Sequence, residues 1–122
     1  MTGGEATTGQ RQDANRFFKD GMREYRNKNY RRAIIAFETA LTVDPSHNMA
    51  KLYLKSTTHD FEREIKDTFK AAVKAQKALR FSEARMHYEN VLRYLENDKR
   101  NEMYVRSEEA IKNIEKAEAE TP

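Results

Sequence analysis

Between Pro45 and Pro122 the chain contains neither glycine nor proline. Those residues are the strongest punctuators of turns and loops, so a stretch that lacks both reads as helices with short connections. Within it Leu54, Thr58, Phe61, Ile65, Thr68, Ala72, Ala75 and Leu79 recur at alternating steps of four and three. That spacing places them on one face of a continuous helix. Ser56-Thr57-Thr58-His59-Asp60 are weak helix formers, so a break near 56–60 is the alternative to a single long helix. A turn near Arg80, a helix from about 82 to 96 and a last helix from about 99 to 118 complete the stretch. Asp98 is the expected cap of the last helix. Its Tyr104, Ile111, Ile114 and Ala117 form a narrow apolar seam, as a terminal helix with a polar outer face requires.

Upstream, residues 1–12 are rich in glycine and threonine and have no apolar period, so a disordered tail or linker is expected there. Asp13 is the expected N-cap of the first helix. Phe17, Phe18, Gly21, Met22 and Tyr25 recur at helical steps, Asn27-Lys28-Asn29 interrupts them, and Tyr30, Ala33, Ile34, Phe37, Ala40 and Leu41 form a second stripe. Asp44-Pro45 ends it, because the proline ring disfavours helix at the residue before it. With 122 residues in all, the expectation is one helical domain over 13–119.

The segment Ala14–His47 resembles the tetratricopeptide repeat, in which two antiparallel helices occupy about 34 residues. Gly21 falls on the small position of its first helix, and Tyr25 and Tyr30 on the aromatic positions flanking the turn. Ala33 and Ala40 fall on the small positions of its second helix, with Phe37 between them, and Pro45 falls on the terminal proline. Independently of any family, Gly21 and Ala33 remove side chains where two helices cross closely, and Phe37 fills the space beside them. A second, degenerate copy at about 65–98 appears at an offset of 51 residues: Tyr30 aligns with Phe81, Ala33 with Ala84, Phe37 with Tyr88, Ala40 with Val91 and Gly21 with Ala72. Glu96 stands where the terminal proline would be. The fold expected is therefore all-α, with tetratricopeptide-like helix pairs, a long middle helix and a C-terminal capping helix.

Several function classes fall away. There is no cysteine, which excludes a disulfide scaffold and zinc sites built on cysteine. His47, His59 and His87 lack the companions a metal or a catalytic base needs; Glu83 and His87 share a helix face, but spacing supplies no third ligand. Gly3-Gly4 lacks the strand, lysine and helix of a phosphate loop. No enzyme activity, metal or cofactor is expected. The opening MTGGEATTGQ lacks the basic start and apolar core of a signal peptide, no run reaches the ~18 apolar residues of a membrane span, and a cytoplasmic location is expected.

Charge is uneven. Arg11 to Arg32 carries eight basic residues against three acids, whereas Arg100 to Pro122 carries four against six. A solvated basic helix, an acidic partner and head-to-tail contact between the ends all fit this pattern. The resemblance implies a protein–protein interaction module, an adaptor or scaffold whose first helices line a groove for a peptide or helix. In the first copy the groove positions are Asn15, Phe18 and Met22, and in the second Lys66, Phe69 and Val73. Arg16, Lys19, Arg23 and Arg26 would form a basic rim. Where one subtype of the family grips a C-terminal carboxylate with Lys and Asn, this chain has Phe18 and Met22, which implies an apolar ligand surface instead. The alternative is that the middle helix or a second chain covers this patch. Self-assembly as a helix-exchanged homodimer is a second reading, and RNA binding through the basic first helix is a third.

Overall fold

The computed structural model describes residues 5–120. They form five helices: α1 Thr8–Arg26, α2 Tyr30–Val43, α3 Asn48–Lys77, α4 Phe81–Tyr94 and α5 Glu102–Glu120. No strand occurs among the described residues, so the chain is all-α, and none of its helices is long and apolar enough to cross a membrane. It divides into two compact units that meet between Glu62 and Arg63, inside α3. Residues 13–119, read from the sequence as one helical domain, run through both units. The reason lies in α3, each half of which buries its own residues: Ala50 and Thr57 in the first, Ile65, Thr68, Ala72 and Ala75 in the second. The weak segment 56–60 does not interrupt the helix.

In the first unit α1 begins earlier than expected. Thr7 Oγ1 accepts from the Gln10 amide (3.1 Å), and Gln10 Oε1 accepts from the Thr7 amide (2.8 Å). This reciprocal capping box satisfies two otherwise unpaired donors, and Ala14, fully buried two turns later, anchors the added residues. Asp13 is therefore not the cap; it pairs with Arg16 at 3.0 Å. The disordered tail expected over 1–12 falls partly on residues 1–4, outside the described residues, and gives way to helix from Thr8.

Gly21 is the closest approach of α1 to α2. A Cβ there would lie 2.5 Å from Phe37 Cε1 and 2.6 Å from Cδ1, so only glycine lets the buried Phe37 ring occupy this place. Phe18, Tyr25, Tyr30, Phe37, Tyr53 and Phe61 then form an aromatic network with neighbouring ring centroids 5.7–6.1 Å apart. Tyr25 Oη donates to Asp60 Oδ2 at 2.7 Å. The first half of α3 faces this core through Ala50, Tyr53 and Thr57, whereas Thr58, expected on the buried face, is exposed. The apolar period is displaced by one residue there because the rings of α1 and α2 receive Tyr53.

In the second unit Ala72, Ala75, Ala84, Tyr88 and Ile114 form the core, with Phe69, Val73, Phe81, Ala110 and Ile111 packed against it. Tyr88 Oη donates to Gln76 Oε1 at 2.6 Å, and Arg85 of α4 pairs with Glu118 of α5. Asp98 does not cap α5. That role falls to Asn101, whose Oδ1 accepts from the Met103 amide at 2.9 Å.

The 51-residue offset holds in three dimensions. It carries the bounds of α2 onto those of α4 and the turn before α2 onto the turn before α4. Lys28 and Leu79, 51 apart, both have φ of 61°. Around each, the next amide reaches back five residues, Asn29 to the Glu24 carbonyl and Arg80 to the Ala75 carbonyl, both at 2.9 Å. This is the Schellman helix ending, built twice with a non-glycine residue in the left-handed position.

Candidate functional site

The expected groove positions meet different fates in the two copies. On α1 the Phe18 ring lies 5.7 Å from Phe37, 5.0 Å from His47 and 5.9 Å from Tyr53. Asn15 Oδ1 accepts from His47 Nε2 at 2.7 Å. His47 Nδ1 in turn accepts from the Ala50 amide at 3.1 Å and caps α3. An acceptor at Nδ1 puts the neutral ring's proton on Nε2, so one tautomer satisfies both bonds. Asn15, itself exposed, thus ties α1 to the turn before α3, and the half-buried Phe18 packs against His47 in that turn and Tyr53 of α3. Met22 is half-buried beside them in sequence.

The expected rim on α1 is partly neutralised from within. Arg16 pairs with Asp13 at 3.0 Å and Arg23 with Asp20 at 3.2 Å, while Arg16 also lies over the Phe17 ring. Lys19 and Arg26 are exposed.

In the second unit Phe69 and Val73 do line an open groove, with a volume of about 480 Å³, whose other lining residues are Lys70, Lys74, Lys77 and Arg106. Lys66 is exposed on α3 but outside the lining. Phe69 is fixed from below by Tyr88, edge-on at 5.9 Å. Above it sits the Arg106 guanidinium, 4.9 Å from the ring centroid, within the range of a cation–π contact. Arg106 Nη1 also lies 3.7 Å from Glu102, and both side chains are more than half exposed. Burial raises the Tyr88 phenol above its ordinary pKa, with Arg106 opposing the shift, so Tyr88 stays neutral beneath the groove.

The site therefore combines an apolar floor, two expected residues, with a wall of four cations that were not expected. Three of those, Lys70, Lys74 and Lys77, were readable: they follow Lys66 at steps of four, four and three, the spacing of one helix face. Arg106 was not, because it arrives from α5 through tertiary packing. No protein-family model matches this chain, and no curated protein or solved structure matches it either.

Proposed function

We propose that this chain is a non-catalytic, tetratricopeptide-like interaction module that docks a peptide or helix of another protein over Phe69 and Val73. The observation that carries this reading is the groove itself. A half-buried ring and a half-buried aliphatic side chain stand one turn apart on a long helix and line a groove that is bordered by cations and open to solvent. Apolar anchors in a desolvated centre supply most of the affinity in such interfaces, and charged rims supply steering and selectivity.

The resemblance to the tetratricopeptide repeat supports the same reading through the small–aromatic pairs Gly21 with Phe37 and Ala72 with Tyr88. Of the groove expected on both copies, this reading keeps Phe69 and Val73 of the second and leaves out Asn15, Phe18 and Met22 of the first. The test is a selection from a random peptide display library, with bound peptides mapped by nuclear magnetic resonance. Selected peptides should shift the Val73 methyl and Phe69 ring signals. Peptides that bind without moving either signal would place the interface elsewhere.

A further inference from the structure

The two copies are an internal comparison of one site in two states. Phe18 and Phe69 are 51 residues apart, and each stands on its helix before an aromatic residue of the next, Phe37 and Tyr88. Over Phe18 the chain supplies its own cover, the rings of Tyr53 and His47. Over Phe69 it supplies only the exposed Arg106 side chain and leaves a groove.

The first unit therefore displays what this kind of surface accepts, an aromatic side chain packed against the phenylalanine. The walls add a second requirement. Lys70, Lys74 and Lys77 make no ion pair among the described residues, although Asp67 lies three residues before Lys70, whereas Arg16 and Arg23 on α1 are each paired with an acid three residues away. Lysines at four-residue spacing repel one another on a helix, and an anionic occupant reverses the sign of that interaction.

We infer that the occupant of this groove is an acidic segment of another protein that carries an aromatic anchor. Its ring takes the place of Arg106 on Phe69, and carboxylates beside it pair with Lys70, Lys74 and Lys77. Arg106 then selects the ligand: it covers the ring while the groove is empty, and it swings aside to a carboxylate when one arrives. Lys70 and Lys77 are about 10 Å apart along the helix axis at 1.5 Å per residue. Three to four residues of extended chain span that distance, so the recognised segment is short. This inference rests on the groove reading above and narrows it to one ligand chemistry.

The test uses the whole chain and a fluorescently labelled nine-residue peptide in which a central Phe is flanked by two Asp on each side. Binding is read by anisotropy, and occupancy by the Val73 methyl shift. Replacing the peptide's Phe by Ala should weaken binding by about tenfold or more, the loss of one anchor. So should Lys70→Glu with Lys74→Glu on the protein, two exposed positions whose substitution leaves helicity intact by circular dichroism. Added salt should weaken the acidic peptide far more than a neutral one. Arg106→Ala should tighten binding of a neutral Phe peptide and weaken that of the acidic one.

The inference is overturned, and the groove reading kept, if basic or non-aromatic peptides bind at Val73 as well as the probe does. It is overturned in favour of a nucleic acid if oligouridylate displaces the probe and binds unchanged when Phe69→Leu removes the ring. If no peptide of the selected library moves Val73, the groove reading fails and this inference fails with it.

Discussion

Gly21→Ala sets two well-known effects against each other. In a helix interior alanine is favoured over glycine by about 1 kcal/mol, so propensity alone expects a more stable protein. The structure expects the reverse. The new Cβ would lie 2.5, 2.6 and 3.0 Å from three atoms of the Phe37 ring. That ring is fully buried and held by Phe18 at 5.7 Å and Tyr53 at 6.1 Å. It must retreat by roughly 1 Å to reach an ordinary contact, and overpacking of this kind costs about 1–3 kcal/mol. Because the ring is fully buried between these neighbours, the upper part of that range applies, and the net loss should be about 1–2 kcal/mol.

Position 72 is the control. Ala72 occupies the same register beside Tyr88 and already accommodates its methyl group, fully buried. Ala72→Gly should therefore also destabilise, by about 1–2 kcal/mol from propensity and the lost buried methyl. Urea unfolding followed by far-ultraviolet circular dichroism reads both. A second variant, Gly21→Ala in a Phe37→Leu background, removes the nearest ring atoms and should recover about 1 kcal/mol of coupling. An increase in the unfolding midpoint of Gly21→Ala alone would refute the close-approach argument.

Four further outcomes follow from particular side chains. Thr57 Oγ1 and Ser107 Oγ are buried without a hydrogen-bond partner among the described residues, so Thr57→Val and Ser107→Ala should each raise stability by about 1 kcal/mol, measured by the same urea melts. The Asp60 hydrogen bond, together with burial, holds the Tyr25 phenol above its ordinary value of 10.0. The associated stability is complete below that value and lost as pH rises through the raised one. Tyr25→Phe should cost about 1 kcal/mol at neutral pH and flatten the alkaline decline. Ala33 and Ala40 are fully buried, so Ala33→Leu and Ala40→Leu should each cost about 1–3 kcal/mol by overpacking and lower the midpoint of thermal unfolding. Leu79 holds φ of 61° while largely exposed; Leu79→Asn should stabilise by about 0.5–1 kcal/mol by relieving the left-handed strain, visible as a higher thermal midpoint.

What the sequence made legible were features carried by spacing and size. Gly21, Ala33, Phe37 and Ala40 announced a close helix pair, and the offset of 51 located its second copy. The long α3 followed from the absence of any breaker. What stayed hidden depended on tertiary choice. The turn at Ala78-Leu79-Arg80 carries no residue that favours a left-handed conformation, yet it adopts the same Schellman ending as Asn27-Lys28-Asn29. The turn leads into α4, whose Tyr88 bonds Gln76 of α3. The start of α1 was misplaced because glycine and threonine read as loop, although Thr7 with Gln10 satisfies the capping-box pattern. The face of α3 was displaced by one residue in its first half because Tyr53, rather than Leu54, completes the aromatic network.

The site shows the same division. Phe18 and Phe69 are equivalent by sequence, and nothing in their local context distinguishes a covered ring from an open one. The distinction comes from the residue that folding delivers above each. Tyr53 and His47 are committed to the cohesion of the first unit: one extends the aromatic network, and the other caps α3 and bonds Asn15. Removing them from Phe18 would open the core, so that ring cannot serve as an interface while the unit stays folded. Arg106 has no such commitment. Its side chain is 58% exposed, and its ion pair with Glu102 spans 3.7 Å at the surface, a contact worth well under 1 kcal/mol. A docking segment can displace it at little cost, and the lysines beside it can be altered without touching the core. On the proposed docking face the cations around Phe69 are therefore separable from folding, whereas the rings that cover Phe18 are not.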